Sequence, residues 1–261
     1  MFTIREYVAP RTVEDACALL AKAKTNTVLG GCMWLKMTRK RIGVAIDLCN
    51  LGYDKIEAWE DGLRIGSMVT LGMLERSEQV RQLVGNAFAS CVGPIVGTQF
   101  KNGATLGGSV YSRFGFSDPC TLLLALQAQV ELADGTCLSM EDFYVRGYRK
   151  DIIAAVRIPG GWDRVVYDSF RISATDLPVL NCAVARKKDG TVSITVGGRP
   201  GRAMTCEQAA AHFAAHGDAA AAAKLACEEL TFGSNMRGSA EYRRTLCGVM
   251  LERCLKEVAS C

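Results

Sequence analysis

The chain has 261 residues, 49% of them apolar, enough for one large domain or two modest ones around a sizeable core. Lys and Arg total 31 against 27 Asp and Glu, and the resulting net charge of +4 is spread along the chain rather than gathered into a basic arm, which argues against a nucleic-acid partner. No stretch approaches the roughly 20 uninterrupted apolar residues of a spanning helix, and the opening MFTIREYVAPR lacks the apolar core of a secretory signal. Membrane insertion is therefore not expected, and a cytoplasmic location is.

In chain order, Thr12 followed three residues later by Asp15, with Val13, Ala16, Cys17 and Leu20 on one face, predicts a capped helix. Thr27-Val28-Leu29 is a short β-prone run halted by Gly30-Gly31, and Val44-Ala45-Ile46 reads as the next strand. Asp61-Gly62, Asp134-Gly135 and Asp189-Gly190 each separate β-prone runs, the pattern of tight hairpin turns. Residues 71–92 and 121–129 read as helical, and 152–158 as a strand ended by Pro159-Gly160-Gly161, where a domain boundary is expected. Strands near 165–172, 179–185 and 192–196, Ala-rich helices and a last helix over about 239–258 complete the expected pattern. No internal repeat or long linker interrupts it.

Twelve cysteines could be misread as six disulfides. A chain of this length does not need staples, and without an export signal its thiols are expected to stay reduced and mostly buried, as small apolar residues. The closest spacing is seven (Cys247, Cys254, Cys261), which fits one helix face and provides no C-x2-C seed for zinc or an iron–sulfur cluster. His212 and His216 lie four apart on an expected helix but lack a following Glu and a third ligand, so no metal is expected there.

Two loops carry paired glycines: Leu29-Gly30-Gly31-Cys32-Met33-Trp34 and Thr105-Leu106-Gly107-Gly108-Ser109. Backbone without Cβ atoms lets amide N–H groups approach a phosphate, and the Thr105 and Ser109 hydroxyls add donors. Neither loop fits G-x-G-x-x-G or G-x4-G-K-[ST], which excludes an ordinary Rossmann or P-loop reading.

These residues resemble a known family. LGGCMW is similar to the A-G-G-T-D-L loop of the FAD-binding (medium) subunits of molybdenum hydroxylases, of xanthine dehydrogenase and carbon monoxide dehydrogenase type. VGTQFKNGATLGGSVYSRFGFSD resembles that family's I-G-x-x-Q-I-R-N-x-A-T-I-G-G-N segment and its P-x-S-D element, and LLLALQAQVEL continues as the family does. GYRKDIIAAVRIP, SFRISATDLPVLNCAVA and RGSAEYRRTLCGVMLERCL resemble the end of its flavin domain, the entry to its C-terminal domain and its final helix. The short stretch between Lys150 and Ile153 is similar to that of a compact bacterial subgroup.

The resemblance implies an α+β chain: a two-lobed FAD-binding domain (1–161, lobes about 1–54 and 55–161) and a smaller α+β C-terminal domain (162–261). It implies FAD as cofactor, with Thr27, Val28, Leu29, Gly30, Gly31, Cys32, Met33 and Trp34, and Thr105, Leu106, Gly107, Gly108 and Ser109, around its pyrophosphate. Asp118 would contact the ribityl or ribose hydroxyls, and Ile95, Ile152 and Arg171 match flavin-contacting positions. The implied function is electron transfer from a [2Fe–2S] subunit, beside a molybdopterin-containing large subunit, through FAD to NAD or another acceptor. No protein residue would act as acid, base or nucleophile. Cys32, Met33, Ser109 and Arg113-Phe114-Gly115 depart from the family pattern and alter polar contacts, each worth on the order of 1 kcal/mol. That leaves a flavin-free structural subunit as one alternative, told apart by flavin colour. A stand-alone flavin reductase or oxidase is the other, told apart by turnover of an organic substrate by the isolated chain.

Overall fold

The computed structural model describes residues 1–260. Three sheets carry the chain. The first is parallel, in the order β1-β3-β2, from β1 (Thr3–Val8), β2 (Thr27–Leu29) and β3 (Arg41–Asp47). Helix α1 (Val13–Lys22) crosses over between β1 and β2, capped by the Thr12 hydroxyl accepting from the Asp15 amide at 3.1 Å. Its buried Ala16 and Leu20 pack on Ile46 and Leu48. Because β2 pairs only with β3, its outer edge is left free.

The second sheet is antiparallel: β4 (Ile56–Trp59), β5 (Gly62–Gly66), β8 (Ile153–Ile158), β6 (Gln129–Leu132) and β7 (Cys137–Ser139), in that spatial order. Both expected hairpins form: β4 joins β5 through a two-residue turn at Glu60-Asp61, with Gly62 already paired to Trp59, and Asp134-Gly135 turns β6 into β7. The expected helical stretch over residues 71–92 is three helices: α2 (Leu71–Arg76), α3 (Glu78–Val84) and α4 (Ala87–Val92). Ser77 ends α2 and caps α3, and Gly85, at φ +62°, ends α3 in a conformation that favours glycine.

Further on, α5 (Thr98–Gly103) and α6 (Leu106–Ser112) precede α7 (Asp118–Ala125). The helix expected over 121–129 thus begins and ends earlier, with Gln129 already in β6. The wholly buried α7 packs against β10 and β11 of the third sheet, and its side chains join a core shared with residues of the second sheet. After α8 (Met140–Val145), β8 returns to the centre of the second sheet.

The third sheet, antiparallel in the order β12-β11-β10-β9, comprises β9 (Trp162–Phe170), β10 (Leu180–Lys187), β11 (Val192–Gly197) and β12 (Met204–Thr205), with Asp189-Gly190 turning β10 into β11. Helices α9 (Glu207–His216), α10 (Ala219–Glu229) and α11 (Ala240–Ala259) cover it. On α11, Cys247 and Cys254 point into this core, whereas Cys261 lies outside the described residues.

Candidate functional site

Where the three sheets approach one another, two cavities of about 250 and 950 Å³ share a wall. Thr27, Val28 and Gly30 from β2 and its exit, and Thr105 and Gly108 at the start of α6, border both. The two glycine loops face each other here: a Cβ on Gly30 would stand 3.0 Å from Thr105 Oγ1 and 3.6 Å from Gly108 Cα, and one on Gly108 would stand 3.4 Å from the Gly30 carbonyl oxygen. A side chain at Gly30 would therefore press on Thr105 of the opposite loop, and one at Gly108 would press on Thr105 and touch Gly30.

The second loop is the first turn of a helix rather than an open anion loop. Thr105 Oγ1 caps α6 by accepting from the Gly108 amide at 3.1 Å, and Gly107 N–H donates to the Ser67 carbonyl at 2.8 Å. Ser109 N–H and Oγ both donate to the Thr105 carbonyl, each at 3.0 Å. The backbone donors that the sequence assigns to a phosphate here already have partners. Polar capacity toward the cavities comes instead from the free edge of β2 and from the Ser67 hydroxyl, which is buried, lines the smaller cavity and has no hydrogen-bond partner.

Fifteen of the seventeen predicted site residues line one cavity or the other. Leu29, Gly107 and Ile152 line the smaller one, and Cys32, Met33, Trp34, Ile95, Ser109, Asp118 and Arg171 the larger. Leu106 does not: it is fully buried in the core beneath α6, because an apolar residue in the first turn of a helix faces the sheet below. Gly31 does not either; at φ +49° it packs against the Gly103 carbonyl and shapes the loop from behind.

Asp118 and Arg171 are buried and hold each other. Asp118 Oδ2 accepts from Arg171 Nη2 at 2.7 Å, while Oδ1 accepts from the Tyr167 hydroxyl and from Asn181 Nδ2 at 3.3 Å. Arg171 also donates to Ser169 Oγ and to the Asp176 carbonyl. Burial raises the Asp118 pKa above the ordinary range and the Arg171 charge opposes that rise; burial, and then the Asp118 charge, push the Tyr167 phenol well up. Ser117 caps α7, its hydroxyl accepting from the Cys120 amide at 3.4 Å.

Sequence reasoning missed the aromatic wall of the larger cavity. Trp34 meets Phe114 edge-on at 5.0 Å between ring centroids and Phe116 at 5.6 Å, and Phe114 and Phe116 stack at 5.0 Å. The only trace in the sequence is the Arg113-Phe114-Gly115 departure from the family's small residues. The smaller cavity gains Lys24, Lys40 and Lys150. Lys150 Nζ also caps the end of α1 by donating to the Leu20 carbonyl at 3.3 Å and to the Ala23 carbonyl at 2.5 Å.

On α9, His212 and His216 stack at 4.5 Å, with His216 Nδ1 3.0 Å from the His212 carbonyl oxygen. Among the described residues no three His, Cys, Asp or Glu side chains converge as a metal site, and no helix is long and apolar enough to cross a membrane.

Known proteins resemble this chain along nearly its whole length. The carbon monoxide dehydrogenase medium chain of Hydrogenophaga pseudoflava is 25% identical over 288 residues, covering 96% of this chain and 95% of its own. The nicotine 6-hydroxylase medium subunit of Paenarthrobacter nicotinovorans is 29% identical over 280 residues, 97% of each chain. In fold, the chain superposes on one chain of a Cu,Mo-CO dehydrogenase with a TM-score of 0.87 at 23% identity, covering 99% of this chain and 98% of that one. Residues 165–258 match the family described as the CO dehydrogenase flavoprotein C-terminal domain. Residues 2–161, well over half the chain, match the FAD binding domain in molybdopterin dehydrogenase, and the protein therefore belongs to the FAD-binding medium subunits of the molybdenum hydroxylase family.

Proposed function

We propose that this chain holds FAD extended across both cavities and serves as the electron-exit subunit of a molybdenum hydroxylase complex. The observation that carries the reading is the meeting of two unequal cavities at the facing glycines Gly30 and Gly108. A dinucleotide has that shape: two ring systems joined by a narrow pyrophosphate, which only backbone without side chains admits. The isoalloxazine belongs in the larger cavity against Trp34, Phe114 and Phe116, because planar rings stack favourably on aromatic side chains. The adenosine half belongs in the smaller one, where Lys24, Lys40 and the unpartnered Ser67 hydroxyl supply charge and a hydrogen bond.

When bound, FAD supplies the redox chemistry, taking electrons from a partner's [2Fe–2S] clusters and giving them to NAD or another acceptor. The residues of this chain bind, orient and shield. The buried Asp118–Arg171 pair fixes the 171–177 segment at the edge of the larger cavity through Arg171 and the Asp176 carbonyl. The rim residues Trp34, Met37 and Val96 leave large apolar side chains exposed, and the iron–sulfur subunit would cover them in the assembled complex.

Equilibrium titration of the purified chain with FAD, FMN and AMP tests the reading. Engagement of both cavities predicts that FAD binds at least about tenfold more tightly than FMN or AMP, a difference of about 1.4 kcal/mol. Equal affinity for FAD and FMN contradicts the placement across both cavities, and no flavin binding contradicts it and favours a flavin-free structural subunit.

A further inference from the structure

Among the charged groups to which the FAD site assigns no role, Arg113 is held most expensively. It ends α6 at φ +51°, and its guanidinium lies 4.1 Å from the centroid of the Phe143 ring on α8 and 4.9 Å from that of Tyr148. Nε, Nη1 and Nη2 are all buried, and none has a hydrogen-bond partner. The neighbouring Asp151 carboxylate is held by Arg146 Nη2 at 2.7 Å, which leaves two cations to one anion. Arginine stays charged in a protein, and a buried charge without a partner is costly; the two aromatic rings offset only part of that cost.

This charge stands beside the larger cavity. Ser112 and Phe114, on either side of Arg113 in the chain, both line it, and Tyr111 borders both cavities. The Tyr148 hydroxyl donates to the Ser112 carbonyl and the Tyr111 hydroxyl to the Arg149 carbonyl, so this end of α6 is clamped to the segment after α8. The carboxylates on the cavity wall offer no compensation: Asp118 is paired with Arg171 at 2.7 Å and Asp176 with Arg237 at 2.9 Å. Lys36, Arg39 and Lys40 also line the cavity but stand exposed, where water and salt screen them; the buried Arg113 acts through protein.

We propose, resting on the FAD site described above, that Arg113 tunes the cofactor: it is an uncompensated buried cation that favours the reduced, anionic flavin over the oxidised, neutral one. On taking up two electrons from the iron–sulfur partner and one proton from solvent, the isoalloxazine becomes an anion. A fixed cation nearby stabilises that anion and leaves the neutral ring almost untouched, so it raises the midpoint potential without adding to the affinity for oxidised FAD. The pyrophosphate carries the same charge in both oxidation states. A cation acting there would strengthen both forms equally and leave the potential where it was.

The test is a spectroscopic redox titration of the FAD-loaded wild type, Arg113→Met and Arg113→Lys, with FAD affinity measured separately in the oxidised state. Relative to oxidised FAD, Arg113→Met should bind reduced FAD at least about tenfold less tightly, which lowers the two-electron midpoint potential by about 30 mV or more. Its affinity for oxidised FAD should stay within about threefold of wild type. Arg113→Lys, which keeps the charge, should keep most of the wild-type potential. Methionine removes a buried unpaired charge at similar length, so the fold should persist. As a second route, Tyr148→Glu, at a position 68% exposed, places a carboxylate beside an intact Arg113 and should lower the potential in the same direction.

An unchanged potential in Arg113→Met and Tyr148→Glu, an equal loss of affinity for both oxidation states, or a potential in Arg113→Lys as low as in Arg113→Met would overturn the inference and leave the FAD site standing. A wild-type chain that takes up no FAD would instead overturn the site, and the inference with it.

Discussion

Arg171 Nη2 donates to Asp118 Oδ2 at 2.7 Å, joining the end of β9 to the first turn of α7 across 53 residues of chain. Both side chains are 7% exposed, so each charge depends on the other for its solvation. Arg171→Met would leave Asp118 buried without its cation and should cost about 3–5 kcal/mol. The folded Asp118 pKa, already raised, would rise further. A raised carboxyl pKa means that the folded state holds its proton more tightly than the unfolded chain, so the variant's deficit should shrink as pH falls and Asp118 is neutralised. Urea unfolding at several pH values checks this, and a deficit independent of pH would show that the pair is not electrostatic in origin.

Glu131 provides the opposite sign. Arg64 grips it from two nitrogens at 2.9 Å and Arg157 Nε donates at 2.8 Å, and these hydrogen bonds, the Arg64 ones foremost, hold its pKa below the usual range against some burial. A depressed carboxyl stabilises the folded state above its unfolded pKa of about 4.3 and loses that contribution as pH falls through the folded value. Glu131→Gln should therefore lose about 1–3 kcal/mol at neutral pH and progressively less in acid. A constant difference from wild type down to the acid limit would refute the assignment.

Trp34 is the one tryptophan that borders the cavities; Trp59 and Trp162 lie in strands elsewhere. If the isoalloxazine stacks near it, FAD should quench a large part of the protein's tryptophan emission, and Trp34→Phe should remove most of that quench while keeping FAD affinity within about tenfold. Quenching that is unchanged in Trp34→Phe would move the flavin ring away from this aromatic wall.

Local rules made much of the fold legible and little of the site's wall. The three Asp-Gly hairpins and the Thr12 cap follow from chemistry within four residues, and all form as expected. The single helical stretch expected over 71–92 breaks because Ser77 offers a hydroxyl cap and Gly85 a left-handed exit, both stronger locally than the apolar period that spans them. Helix α6 was hidden because two adjacent glycines disfavour a helix. They sit in one because Gly107 packs where a Cβ would come within 2.6 Å of Ser67 Cβ. The glycine loops themselves were readable as a pair. Phe114, Phe116, Ser67, Tyr167 and Asn181 reach the site or its supports only through folding, and no spacing in the sequence announces them.

Flavin content of Gly108→Val beside the wild type, with the fold monitored by circular dichroism, tests the two-cavity FAD site at its narrowest point. Gly108 stands where the two cavities meet, and a side chain there would press on Thr105 Oγ1 at 3.1 Å, touch the Gly30 carbonyl oxygen at 3.4 Å and fill the junction. After reconstitution the wild-type chain should carry about one FAD, and a folded Gly108→Val should retain little or none. Stoichiometric FAD in Gly108→Val, or a folded wild type that takes up no FAD, would contradict the proposed site.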